Sequence, residues 1–430
     1  MEAPIASVQN LGCRVNRVEA DAIVRALVDD GFRMGAPEDA AVVVVNTCAV
    51  TGEAEAKTRK AIRRALAQPG GPVVIVTGCA SNLHPEEYAA MSARVVVEPQ
   101  KTKVARRACA ALGLDGGAAP AAEVPATELF GRARLGVKIQ DGCNNRCSYC
   151  IVWKARGSER SEPVEQVVGQ VRDACAQGVP EVVLTGVNLA AYRGRDAQGA
   201  LFRLEDLLEV LLERTDVQQI RLSSLEPMDV RPGLLELMAA SQGRIAPYLH
   251  LPLQAGCTAT LRRMRRSYSA QDYERVVELC RATVPGIAIS CDVIAGFPGE
   301  TDGEFQETFA LCGRAAFSKM HVFRYSARPG TPAAAAPDQV PAPVKAARAA
   351  ALRELSQAMT LADAASRVGT VERAVIEDGA RGTLGSFHRV VVDSPQDAGP
   401  AAPGIVELAI IGIDADGLLH GRPAGRGDRA

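Results

Sequence analysis

The sequence predicts an α/β protein in three parts: an N-terminal parallel α/β domain, a partial TIM-like (β/α)6 barrel, and a small all-β barrel at the C-terminal end. Three observations carry this. Short apolar runs alternate with amphipathic stretches up to about residue 110 and again from about residue 135, the pattern of parallel sheets crossed by helices. Segments rich in Ala, Gly and Pro interrupt it at 112–125 and 333–343, as linkers do. Past the second, short β-prone runs separated by Gly and Asp take over.

In the first part, strands are expected at 4–9, 41–45 and 72–76, with helical spacing at 18–29 and 53–67; this is a βαβαβ unit and implies a doubly wound sheet. In the second, strands are expected at 135–140, 181–187, 219–223, 248–254, 286–294 and 320–325. Helices begin between them at Pro163, Leu204, Gly233, Ala270 and Asp302. Six such repeats fit a partial barrel with its site at the carboxyl ends of the strands. A helix over 344–364 follows, then strands at 371–376, 389–392, 405–411 and 418–422 that suggest a small β-barrel. The expected domains are 1–112, a linker over 113–128, 129–365 and 366–430.

The chain has 430 residues, 47% of them hydrophobic, and a formal net charge of -1. Residues 1–13 carry neither a basic nor an apolar leader segment, and no uninterrupted apolar stretch reaches about 18 residues. A cytoplasmic monomer without membrane association is the expectation. The 12 cysteines then read as thiols, metal ligands or packing residues, not as disulfides. With so little net charge, any nucleic-acid partner has to be held by local basic patches.

Two cysteine constellations stand out. Cys143, Cys147 and Cys150 fall within Gln140-Asp141-Gly142-Cys143-Asn144-Asn145-Arg146-Cys147-Ser148-Tyr149-Cys150, just after the first barrel strand. Three thiolates can cap three irons of a cubane and leave the fourth iron open for an exogenous ligand. A structural zinc knuckle would need a fourth Cys or His at suitable spacing, and none follows. Cys13, Cys48 and Cys79 each come after a predicted strand of the first part, so a parallel sheet would gather them at one edge as a second cluster site. The other cysteines read as packing residues. The five histidines show no metal-ligand spacing.

Leu11-Gly12-Cys13-Arg14-Val15-Asn16, Asn46-Thr47-Cys48-Ala49-Val50-Thr51 and Thr77-Gly78-Cys79, followed by the C-x3-C-x2-C run, resemble the radical S-adenosylmethionine (SAM) methylthiotransferase family along essentially the whole chain. Its MtaB type is the most similar, on the start motif together with Ala155-Arg156-Gly157, Leu184-Thr185-Gly186, Ser223-Ser224-Leu225-Glu226-Pro227 and His321-Val322-Phe323-Arg324-Tyr325-Ser326. Trp153-Lys154 departs from the family, which commonly has Pro and an aromatic there. The resemblance implies a C-terminal TRAM-like barrel, two 4Fe-4S clusters on the two cysteine trios, and SAM on the open iron of the cluster held by Cys143, Cys147 and Cys150. That cluster would pass an electron to SAM and release a 5'-deoxyadenosyl radical. The other would present a sulfur methylated by a second SAM. The implied product is methylthiolated carbon 2 of threonylcarbamoyl-adenosine 37 of tRNA, with a flavodoxin or ferredoxin as electron donor. An isopentenyl-adenosine substrate (MiaB type), a ribosomal-protein aspartate (RimO type) and a non-catalytic iron-sulfur RNA-binding protein are the alternatives.

Tyr149, Gly186, Ser223, Glu226, Gln254 and Gly296 are the expected SAM contacts, all at strand ends or between cluster ligands. Arg156 and Arg160 would meet a threonyl carboxylate. Lys57, Lys60 and Arg64 share one helix face, where a phosphate backbone could pass. Arg262, Arg263, Arg265 and Arg266 form a second basic patch. In the tail, RNA contact is expected through Arg381, Phe387, His388 and Arg389.

Overall fold

The computed structural model describes residues 3–114, 133–378, 380–393, 404–425 and 428; apart from its first two residues, the expected linker lies outside them. The N-terminal sheet is fully parallel, in the order β2-β1-β3-β4-β5. Its strands are β1 (Ile5–Asn10), β2 (Arg33–Met34), β3 (Val42–Thr47), β4 (Val73–Gly78) and β5 (Val95–Val97). The sequence of β3, VVVVNT, is buried at every position, as a central strand covered on both faces must be. The two edge strands β2 and β5 were not expected; at two and three residues they are too short to show a period. β1, β3 and β4 are immediate neighbours, with Asn10 opposite Asn46 and Thr47 opposite Gly78. Their carboxyl ends therefore lie side by side.

Six parallel strands make the open barrel: Arg134–Lys138, Glu181–Thr185, Gln219–Leu222, Tyr248–His250, Ala288–Ala295 and Lys319–Arg324. They form two three-stranded halves joined by bridges between Ile220 and Ile245 and between Ser224 and His250. Alternation sets the two faces. Leu249, Ile289, Cys291 and Met320 join the apolar core beneath the helices. In the lumen Arg221 bonds to Glu181, and Ser290 bonds to both Tyr248 and His250.

The helix α1 (Arg14–Asp29) of the first domain packs on the first barrel strand. A Cβ at Gly136 would collide with Val18, so glycine permits the close approach, and Lys138 Nζ lies 3.1 Å from Glu19 Oε1. At the other edge, the helix Ala342–Ala365 covers the sixth strand: Ser356 Oγ accepts from Met320 N at 3.0 Å, and Thr360 Oγ1 donates to Ser318 O at 2.8 Å.

The C-terminal strands Val371–Asp378, Arg381–Leu384, Arg389–Val392, Gly404–Ile413 and Leu419–Pro423 close into a barrel. The turn after its second strand reaches the amino end of the large barrel. There the Phe387 ring lies 4.7 Å from the Tyr248 ring and 4.8 Å from Arg221 Cζ. Arg221 also donates to Gly385 O and Leu384 O at 2.8 and 3.0 Å. Among the described residues no helix is long and apolar enough to cross a membrane.

Candidate active site between two cysteine trios

Cys48 and Cys79 follow β3 and β4 directly, and Cys13 caps the amino end of α1 just beyond β1. The loops between them are tied together: Asn16 Nδ2 donates to Thr47 O at 2.7 Å, Asn46 Nδ2 to Asn16 O at 2.7 Å, and Thr47 Oγ1 accepts from the backbone of Ala80 and Ser81. Gly78 has φ +103°, and a Cβ there would sit 2.5 Å from Thr47 O, so only glycine turns the chain into Cys79. The expected convergence is present.

The second trio sits on a loop at the carboxyl end of the first barrel strand. Cys143 N donates to Gly157 O at 3.1 Å, and Ser148 is pinned by Met264 O, Arg263 O and Ala333 N at 2.7–3.0 Å. Arg266 Nη1 lies 3.2 Å from Cys147 Sγ and is ion-paired to Glu226. Arg146 stacks 4.1 Å over the Trp153 ring, which occupies the loop position where the family pattern differs.

Each trio contains buried thiols. Burial, with repulsion from the neighbouring thiols, pushes Cys143 up to about 11, Cys150 up to about 12 and Cys48 up to about 11. Thiolates so placed call for a compensating cation, and a coordinated metal supplies it by deprotonating the thiol outright. No cysteine is in a disulfide.

One cavity of 160 Å³ lies between the trios. It is lined by Val50 and Thr51, just past Cys48, by Tyr149 and Cys150 of the second trio, and by Gln254, Asp292 and Phe323 of the barrel. Gln254 holds φ +69°, a conformation uncommon for a residue with a side chain. It is fixed by its backbone bonds to Asp292 O and Ile294 N at 2.8 and 2.9 Å.

The other expected SAM contacts also lie at the carboxyl edge. Gly186 is packed against Gln140, whose Oε1 accepts from Val187 and Asn188 at 2.9 Å, and Ser223 Oγ accepts from Gly186 N at 3.4 Å. Glu226 is held beside Arg266. Gly296 differs: its N–H is taken by Glu300 at 2.8 Å and its α-carbon abuts Lys345, so its amide is not free to meet a ligand.

Several basic residues have other tasks than those expected. Arg156, 4% exposed, is bound to Glu19 and Asp141 at 2.9 Å and to Asn16 at 2.8 Å, and Arg160 pairs with Asp141 at 2.7 Å. The Arg262–Arg266 patch is divided, since Arg263 pairs with Glu304 at 2.6 Å and Arg266 turns inward. In the tail, Phe387 plugs the large barrel, and His388 is buried on Asp363 and Ser386 at 3.2 and 3.1 Å. Of that group, only Arg381 and Arg389 face outward. Lys57, Lys60 and Arg64 are exposed on the helix Gly52–Leu66 that starts beside Cys48, with Lys57 paired to Glu53 at 2.8 Å.

The histidine expectation needs one correction. His250, Asp292 and His321 present ligand atoms within 4.8 Å of one another, brought together from three adjacent strands. Spacing along the chain could not reveal this.

A six-stranded barrel with a cysteine loop at its carboxyl edge defines a radical SAM enzyme. The Radical SAM superfamily model matches residues 137–312, and the model described as Uncharacterized protein family UPF0004 matches residues 6–97. The fold is similar to that of the radical SAM methyltransferase TsrM from Kitasatospora setae, with TM-score 0.56, 17% identity and 77% of each chain covered. The chain is 36% identical to the threonylcarbamoyladenosine tRNA methylthiotransferase MtaB of Bacillus subtilis, over 80% of this chain and 79% of the relative. It is 33% identical to the tRNA-2-methylthio-N(6)-dimethylallyladenosine synthase of Alkalilimnicola ehrlichii, over 87% and 86%. The chain belongs to the radical SAM methylthiotransferase family, in its MtaB type. Its cofactors are SAM and iron-sulfur clusters.

Proposed function

We propose that the protein transfers a methylthio group to carbon 2 of threonylcarbamoyl-adenosine 37 of tRNA, with one 4Fe-4S cluster on each cysteine trio. The observation that carries this is the shared cavity, whose wall runs from Val50 and Thr51 beside Cys48 to Cys150 and Tyr149. When bound, the clusters and SAM supply reductive radical generation on one side and a sulfur carrier on the other, chemistry that side chains alone do not provide. The chain's own residues position and insulate. Arg266 neutralises the Cys147 side of the loop and orients Glu226. Tyr149 and Gln254 form the wall against which SAM and the base would lie, and Gly186, Ser223 and Glu226 close the strand-end rim around SAM. Lys57, Lys60 and Arg64 extend from the cavity outward as a path for phosphates.

The MtaB relatives support the threonylcarbamoyl substrate, and a strain lacking the gene tests it. Its tRNA should accumulate unmodified threonylcarbamoyl-adenosine and retain methylthio-isopentenyl-adenosine. The reverse pattern would assign the isopentenyl substrate.

A further inference from the structure

A second cavity of 260 Å³ lies between α1 and the barrel, with Arg14 of the start motif and Thr185 of the Leu184-Thr185-Gly186 motif in its wall. Four arginines line it, Arg14, Arg17, Arg134 and Arg221, together with Asp21, Thr185 and Phe387. Three have acidic partners: Arg17 with Asp21 at 3.8 Å, Arg134 with Glu377 at 2.7 Å and Arg221 with Glu181 at 2.8 Å. Arg14 is partly buried and lies 5.4 Å from the Phe387 ring centroid; it has no acidic partner among the described residues. A half-buried guanidinium without a counter-charge is a site prepared for an anion.

We infer that Arg14 receives the carboxylate of the threonylcarbamoyl group and thereby sets substrate specificity. The inference rests on the function proposed above. In adenine, C2 and the carbon bearing N6 both flank N1, so the N6 substituent and the C–H to be replaced share one edge of the base. A residue that holds the substituent must then stand next to the sulfur carrier, and Arg14 directly follows Cys13. Arg156 and Arg160, the candidates closest to the cysteine loop in sequence, are engaged with Glu19 and Asp141. An isopentenyl group would leave Arg14 uncompensated, which gives discrimination by an unpaired charge.

The test uses reconstituted holoenzyme and two forms of one tRNA, with the threonyl carboxylate free or as its methyl ester. Wild type should prefer the acid by about 10- to 100-fold in kcat/KM, the range of one charged hydrogen-bond contact. Arg14→Gln should bring the ratio to near one, and Arg14→Lys should retain part of it. Because the ratio is taken within each variant, loss of folding or cluster content cancels; where turnover is too slow, the ratio of Kd values is read instead. A wild-type ratio near one, or an Arg14→Gln ratio equal to wild type, overturns the inference. Wild-type inactivity on both forms, with activity on an isopentenyl-adenosine tRNA, would instead overturn the substrate reading.

Discussion

Arg156 and Glu19 meet through two parallel contacts, Nη1 to Oε1 at 2.9 Å and Nη2 to Oε2 at 3.1 Å, each side chain 4% exposed. One ends the short helix Val152–Arg156 that follows the cysteine loop, the other belongs to the helix that follows Cys13. The pair ties the N-terminal sheet unit to the barrel, and Asp141, Lys138 and Lys101 complete its charges. In the reaction proposed above a methylthio donor and a radical source would have to address one carbon atom, and the separation set by this pair would then be a catalytic dimension.

Replacing Arg156 by Met leaves Glu19 and Asp141 buried without their shared cation. The expected loss is about 3 kcal/mol, the lower end for a broken buried pair, because Lys101 and Lys138 still reach Glu19. Urea unfolding followed by Trp153, the one tryptophan of the chain, gives the measurement. Adding Glu19→Gln should recover part of the loss; strict additivity would show the two residues to be uncoupled.

Acid should weaken the same junction. Burial favours the protonated acid at Glu19, but Arg156 and the two lysines outweigh it and bring the pKa down to about 2; at Asp141, Arg156, Lys138 and Arg160 outweigh burial, and the carboxyl is held far below its usual range. A depressed carboxyl contributes stability in full above its unfolded value, about 4.3 for Glu, and loses it as pH falls through the folded value. Stability of the apoprotein should thus be level from pH 7 to about 5 and decline from about 4.3 towards 2. Glu19→Gln should flatten part of that decline, and an unchanged slope would count against the assignment.

Arg266→Leu removes a positive charge and a hydrogen bond from the Cys147 sulfur. Both changes disfavour the reduced cluster, so its midpoint potential should move to more negative values. SAM cleavage should slow by about 10- to 100-fold, as for loss of a ligand-orienting group. A redox titration monitored by electron paramagnetic resonance settles the point; an unmoved midpoint would refute the role.

The cysteine trios should be separable. With Cys143, Cys147 and Cys150 replaced by Ala, about four irons per chain should remain after reconstitution, and reductive SAM cleavage should stop. With Cys13, Cys48 and Cys79 replaced instead, cleavage should persist while methylthio transfer ceases. Retention of transfer in the second variant would exclude the N-terminal trio from sulfur delivery.

What the sequence made legible was local. The six barrel strands, the helix ahead of the C-terminal domain and the C-x3-C-x2-C loop all show themselves within a few residues, through period or spacing. Cys13, Cys48 and Cys79 were legible only because a parallel sheet forces strand ends to one edge. The sequence concealed pairings across long separations: Arg156 with Glu19 over 137 residues and Arg266 with Cys147 over 119. Charge type alone placed Arg156 at the substrate, since nothing in a linear reading shows which cations already have partners. The strand Arg381–Leu384 was missed because Gly382 and Arg381 dilute its apolar pattern.

Phe387 stoppers the amino end of the barrel from a different domain. In the proposed reaction a radical intermediate would survive only while small oxidants and stray hydrogen donors are kept out, and the C-terminal module, packed there on Tyr248 and Arg221, would then contribute to that exclusion. Exchanging it for the corresponding module of a relative would then do more than alter RNA affinity. A poorly seated replacement would leak, and the leak would show as SAM consumed without product, a failure of containment that no RNA-binding assay would register.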